Sequence, residues 1–280
     1  MKALMHKTLS LGIGLLALGL LLLSAPEARA QDVGSGGGTT GSSGSRAGTS
    51  GATELLVPLT ARYTALGGTS TSGLADMNGI EALYANPAGL ALNTGTAGLF
   101  SRVEYVADIG VNYFGIAQNF GDFNNIAFTI AAWDFGDIPE TTEDSPEITD
   151  VTFNVSYLTA GLSYSRQITD RIAAGATMKL VNESIDDVSA SAVAFDAGMT
   201  YNLSEIGLRL GVSLKNIGNE LTFTGTGLSR SVKVPGQDPS ANNNTLALES
   251  EGVQMPTLLN VGLAYTVPIA GSNYVSFLTN

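Results

Sequence analysis

Segments that alternate strictly between apolar and small or polar residues, repeated along most of the chain, limit the fold more than any other feature. Ile172, Ala174, Ala176, Met178 and Leu180 alternate with Ala173, Gly175, Thr177 and Lys179. Val193, Phe195, Ala197, Met199, Tyr201 and Leu203 alternate with Ala194, Asp196, Gly198, Thr200 and Asn202. Leu208, Leu210, Val212 and Leu214 do the same with Arg209, Gly211, Ser213 and Lys215, and Leu259, Val261, Leu263 and Tyr265 with Asn260, Gly262 and Ala264. Period two belongs to strands, and each segment runs for roughly 7 to 12 residues, the length of a tilted membrane strand.

The pattern predicts about nine strands, near 96–107, 109–118, 125–134, 151–165, 171–182, 190–203, 207–218, 257–266 and 273–279. Between Val151 and Ser165 the phase flips. Val151, Phe153, Val155 and Tyr157 give way to Leu158, Ala160, Leu162 and Tyr164. Such a slip predicts a β-bulge near Tyr157–Leu158 or the point where the strand leaves the membrane. The connectors near 119–124, 166–170, 204–206 and 267–272 are short, and those at 135–150, 183–189 and 219–256 are longer. Only the tight first hairpin near 108 departs from this alternation. Short turns at one end and long loops at the other are the asymmetry of an outer-membrane barrel, and a soluble sandwich has no need of it. The expected fold is all-β, an antiparallel transmembrane β-barrel over 96–280 with a short helical segment before its first strand.

The N-terminus supplies an address. Lys2, His6 and Lys7 precede a mostly apolar run from Leu9 to Leu23, and Ala28-Arg29-Ala30 follows as a small-x-small cleavage signature. This is the three-part layout of a secretory signal peptide over 1–30. The run of about 15 residues is short for a spanning helix, which needs roughly 20. Cleavage after Ala30 would remove Lys2, Lys7, Arg29 and Glu27, a net of +2, and take the formal charge from −12 to −14. So acidic a chain repels nucleic acid, whose binding rests on basic groups that displace counterions. His6 is the only histidine and cysteine is absent. The mature chain therefore lacks Ser-His-Asp and Cys-His catalysis, Cys/His zinc sites and disulfides. Neither an enzymatic activity nor a cofactor is expected.

Residues 31–53 form a Gly/Ser/Thr tract with too little apolar surface to offset ordering entropy, read as a flexible periplasmic linker. Gly36-Gly37-Gly38-Thr39-Thr40-Gly41 fits GxGxxG but lacks the flanking strand and helix that a dinucleotide site needs. Residues 54–95 form a pre-barrel segment. Leu66-Gly67-Gly68-Thr69 reads as a turn, Leu74 to Ala85 as a short helix, and Asn86-Pro87 as its stop, with Gly89 supplying flexibility.

Ala65-Leu66-Gly67-Gly68-Thr69-Ser70-Thr71, Asp76, and Ala82-Leu83-Tyr84-Ala85-Asn86-Pro87-Ala88-Gly89-Leu90-Ala91 resemble the PorV/PorQ family of outer-membrane proteins and are similar more broadly to FadL-like barrels. Phe195-Asp196-Ala197-Gly198-Met199-Thr200-Tyr201 and Leu214-Lys215-Asn216-Ile217-Gly218 look like recurring strand motifs of the same family. The resemblance implies a barrel of about fourteen strands, of which roughly five would lie beyond this chain. It places the pre-barrel segment at or in the periplasmic mouth. It also implies one of two roles: handling cargo of the type IX secretion system together with other secretion components, or importing hydrophobic small molecules. A secreted soluble β-protein is the alternative from another class.

Few constellations carry chemistry. Lys179 and Asp196 fall directly opposite each other on the non-lipid face if their hairpin turns near 187, which predicts a lumen ion pair. Asn86, Pro87, Ala88 and Gly89 have the residue types of a structural turn. Asp134, Asp137, Glu140, Glu143, Asp144, Glu147 and Asp150 crowd one loop without EF-hand spacing and read as a solvated surface. Tyr105, Tyr113, Tyr157, Tyr164, Tyr201 and Tyr265 suit interfacial girdles.

Overall fold

The computed structural model describes residues 50–73, 77–121, 124–141, 146, 151–232, 244–270 and 273–280. The signal peptide, most of the Gly/Ser/Thr tract with its GxGxxG run, and Glu143, Asp144, Glu147 and Asp150 lie outside them.

Nine long strands follow one another as a meander: β1 (Thr96–Glu104), β2 (Gly110–Asn119), β3 (Asn124–Asp134), β4 (Val155–Gln167), β5 (Ile172–Ile185), β6 (Val188–Leu203), β7 (Leu208–Gly218), β8 (Leu258–Ala270) and β9 (Asn273–Thr279). Each pairs antiparallel with the next in sequence, and the short strand Thr224–Gly225 adds to β6. The alternation read from the sequence sorts onto the two faces. Phe100, Phe114, Phe128, Leu162, Leu180, Phe195, Leu259 and Val261 point outward and are exposed. Val111, Ala127, Ser163, Thr177, Asp196, Ser213 and Ala264 point inward and are buried.

What buries them is the chain's own N-terminal part. Residues 50–73 and 77–92 run along the inner face in short pieces: Thr53–Leu56, α1 (Ala61–Ala65), α2 (Ile80–Leu83) and a 3₁₀ helix over Pro87–Leu92. Ile80 lies against β2, Asn125 on β3 donates to the Ala91 carbonyl, and Asn86 donates to the Met199 and Val212 carbonyls of β6 and β7. Residues 80 to 86 rise by about 9 Å if helical, whereas β2 and β6 would stand about 19 Å apart in a flat sheet. The sheet therefore curls around this segment. All three clusters of buried apolar residues draw on it, two of them packing it against the wall, as Ile80, Leu83 and Leu90 do on Tyr113, Ala117, Ala127 and Ala131.

The close approach depends on missing side chains. A Cβ on Gly175 would stand 2.5 Å from the Pro87 carbonyl oxygen, and one on Gly198 would overlap the Asn86 side chain. Gly211 and Gly262 likewise face the backbone of Thr71 and Ser72. These glycines sit at inward positions of neighbouring strands, with Gly175 paired to Gly198 and Gly211 to Gly262.

Several expectations need correction. The interval 183–189 is no long loop: β5 runs to Ile185 and β6 starts at Val188, joined by Asp186-Asp187, with Asp186 at a φ of 51° that aspartate tolerates. No bulge lies at Tyr157–Leu158, because β4 keeps unbroken register with both neighbours. The apolar phase flips there because Val155 and Tyr157 point inward, Tyr157 into an aromatic cluster. The bulge falls instead in β7, where Lys215 and Asn216 together oppose Asp196 and Asn216 takes a φ of 58°. The helix expected over Leu74–Ala85 is confined to Ile80–Leu83, with 74–76 outside the described residues. Order also begins before 54: the Gly51 amide donates to the Gln254 carbonyl and Ala52 is buried.

The glycine contacts predict an asymmetry. Gly198→Ala should destabilise the protein by about 1–3 kcal/mol through overpacking. Gly98→Ala, at an outward position with nothing within 4 Å, should change stability little. Thermal unfolding in detergent micelles measures both, and equal effects would contradict the packing described.

Candidate functional site

Asn86 caps the 3₁₀ helix Pro87–Leu92. Its Oδ1 accepts from the Ala88 amide, and Pro87 occupies the first helical position, where no amide is needed. Its Nδ2 donates to the carbonyls of Thr71, Met199 and Val212. Asn86 to Gly89 thus form a helix start buried in the middle of the wall. Gly89 is packed directly on Ala82, so close contact, not flexibility, is its role there.

Lys179 and Asp196 share the inner face, with Lys179 Nζ 2.5 Å from Asp196 Oδ2. They are diagonal neighbours, not directly opposite: Thr177 faces Asp196 and Lys179 faces Ala194, because the turn lies at Asp186-Asp187, not 187 alone. Around the pair stand residues that the sequence reading did not assign. The Asn216 amide donates to Asp196 Oδ1, and Lys179 Nζ donates to Asn216 Oδ1. The bulge aims that amide inward. Lys215, 2% exposed, holds its Nζ 3.9 Å above the Tyr84 ring, a cation–π contact between wall and inner segment. Burial pushes the Tyr84 hydroxyl up from its ordinary pKa, with Tyr63 and Asp196 adding to the shift. It donates to the Leu55 carbonyl. One trace of the bulge was present in the sequence: after Leu208, Leu210, Val212 and Leu214, the next outward apolar residue is Ile217, a step of three.

Two spaces adjoin the inner segment. A cavity of about 60 Å³ lies between it and the wall, lined by Leu55, Leu59, Leu83, Tyr113, Trp133 and the Lys179–Asp196 pair among others. A more open cleft of about 420 Å³ lies at the end of the sheet that carries the connections 105–109, 135–154 and 219–257. Tyr105, Ile109, Trp133, Phe135 and Tyr157 form one side of it, and Leu56, Val57 and Pro58 the other. Its rings interlock: Tyr105 meets Trp133 edge-on at 6.0 Å, Trp133 stacks with Phe135 at 6.4 Å, and Phe135 meets Tyr157 at 4.8 Å. The segment expected at the periplasmic mouth therefore starts at this long-loop rim and passes inside the sheet to the opposite one, where β1 begins.

Tyr113 is buried inward and Tyr157 lines the cleft, so neither belongs to an outer girdle; Tyr164 and Tyr265 do face outward. Asp134, Asp137 and Glu140 are described, and among the described residues no three His, Cys, Asp or Glu side chains gather as metal ligands.

No protein-family model matches the chain, and no curated protein matches it. A similar solved structure is the TodX deltaS2S3 mutant monoaromatic hydrocarbon channel, with 16% identity and a TM-score of 0.38 over 67% of this chain. The chain spans 62% of that channel's length. Fold and site together define an antiparallel β-sheet protein with an apolar exterior, an interior filled by its own chain, and an aromatic cleft at one rim.

Removal of Asp196 tests the buried cluster. Asp196→Ala leaves Lys179 without its partner charge and the Asn216 backbone amide without its acceptor, and should cost about 3–5 kcal/mol. Replacing both partners, Lys179→Met with Asp196→Leu, should recover part of that loss. Denaturant unfolding in micelles measures the two; a single variant as stable as the parent would contradict the role given to Asp196.

Proposed function

We propose that this chain is an outer-membrane β-barrel protein that binds hydrophobic small molecules in the aromatic cleft at its long-loop rim. Every long strand exposes large apolar side chains on its outward face, as a lipid-facing wall requires, and backbone pairing between successive strands is what a lipid environment demands. No helix of the described residues is long and apolar enough to cross a membrane, so strands would do the crossing. The cleft is the observation that carries the ligand reading: about 420 Å³, apolar and aromatic, with few polar groups. The likeness to FadL-like barrels in the sequence fits the same reading. Outer-membrane lipid is then the protein's main partner.

A second reading is the PorV/PorQ type, a non-enzymatic barrel that handles secreted cargo or acts as a surface scaffold. Besides the sequence resemblance, one structural observation favours it. The ladder between Arg230–Val232 and Asn244–Leu246 stands at the long-loop rim, and Leu246 and Leu248 beside it are exposed, as a protein-docking surface requires.

The chain's only tryptophan, Trp133, lines the cleft, so its fluorescence reports binding directly. Titration with toluene or a medium-chain fatty acid should give saturable quenching, weakened about tenfold by Phe135→Ala. Fluorescence that does not respond to either probe would reject the small-molecule reading and leave cargo handling.

A further inference from the structure

Glu54 and Glu183 are the most deeply placed carboxyl pair outside the Lys179 cluster. Glu54 sits in the turn Thr53–Leu56 and is 6% exposed; Glu183 points inward from the long-loop end of β5 and is 5% exposed. The Glu183 charge acts on Glu54, and Ala52 and Leu55, on either side of Glu54, pack with Val181 and Ala190 beside Glu183 in one buried cluster. The Oε1 atom of each is buried without a hydrogen-bond partner, and neither group is among the ion pairs of the described residues. Two buried carboxylates in contact cannot both stay ionised at low cost, and one shared proton converts their repulsion into a hydrogen bond.

The position of the pair gives this chemistry a consequence. Glu54 lines both the outer cleft and the inner cavity, as does Trp133. Residues 53–58 therefore stand between the two spaces, and besides apolar packing of Ala52 and Leu55 their tie to the wall is this carboxyl pair. We propose that Glu54 and Glu183 form a proton-dependent latch that holds residues 53–58 in place between the cleft and the inner cavity.

Other titratable groups face this region, and the Glu54→Gln variant separates the pair from all of them. They are Tyr113 on β2, Tyr157 on β4, Tyr105 before β2, Tyr84 with Lys215 over its ring, and the Lys179–Asp196 ion pair that lines the inner cavity. Burial first, and Glu183 second, push Glu54 up from 4.5 to about 7. A raised carboxyl pKa means that the docked state holds the proton more tightly than the released one. The latch is therefore fully closed below about 4.5 and weakens as pH rises through about 7.

The latch concerns the same cleft as the small-molecule reading, but its test uses no ligand, so the two can fail separately. The chain has no cysteine, which makes thiol labelling clean. Leu55→Cys, buried on the latched turn, is labelled with a maleimide in outer-membrane vesicles, and its rate is divided by that of Val106→Cys, which is exposed. The ratio should rise at least about fivefold from pH 5 to pH 8, and Glu54→Gln and Glu183→Gln should each flatten it. If Glu183→Gln fails to fold, Glu54→Gln, outside the wall, decides alone. A flat ratio in the parent, or an undiminished rise in Glu54→Gln, overturns the proposal. So does calcium that lowers labelling at pH 8 to the pH 5 level, which would make the pair a cation site instead.

Discussion

The rest of the structure depends on backbone meeting backbone inside the curled sheet. Where Pro87 and Asn86 lie on Gly175 and Gly198, and Thr71 and Ser72 on Gly211 and Gly262, the inner segment approaches the wall more closely than any side chain would permit. The approach lets one asparagine bridge three carbonyls drawn from the segment and two strands. It also explains why the inner face is small and polar while the outer face is large and apolar. The interior has already been filled, by the chain itself, and only the exterior remains to be matched to a solvent.

Filling the interior this way has an electrostatic consequence. A charge aimed inward has no bulk water to turn to, so it is costly unless it finds a partner in the wall or the segment. Asp196 does so by accepting from Lys179 and from an amide that the bulge in β7 turns towards it, while Lys215 rests on the Tyr84 ring. The bulge is thus part of the charge arrangement and not a flaw in the strand. With the middle closed, the larger open space lies at the long-loop rim, lined by Trp133, Phe135 and Tyr157.

The strands were legible because period two is a local property: β2, β3, β6, β7 and β9 lie within two residues of where alternation put them. Register was less so. Lys179 and Asp196 share a face, as parity requires, but their offset is set by how tightly Asp186-Asp187 turns, and a one-residue error there shifts the whole pairing. The phase flip in β4 could mean a bulge or an inward apolar patch, and only the neighbours Phe135 and Trp133 decide it. The course of residues 50–73 and 77–92 inside the sheet could not be read at all. Asn86-Pro87-Ala88-Gly89 announces a turn, but the glycines that receive it are about a hundred residues away on other strands, where each looks like an ordinary member of an alternating segment.

The central claim, that residues 50–73 and 77–92 occupy the inside of the sheet, is tested most directly by cross-linking. Ile80 lies against Gly115 of β2, and the chain has no cysteine to confuse the result. Ile80→Cys with Gly115→Cys, oxidised in outer membranes, should form a disulfide in nearly every molecule, seen as a mobility shift that reductant abolishes. Two thiols that stay unlinked and both react freely with a maleimide, in protein that is otherwise folded, would contradict the account.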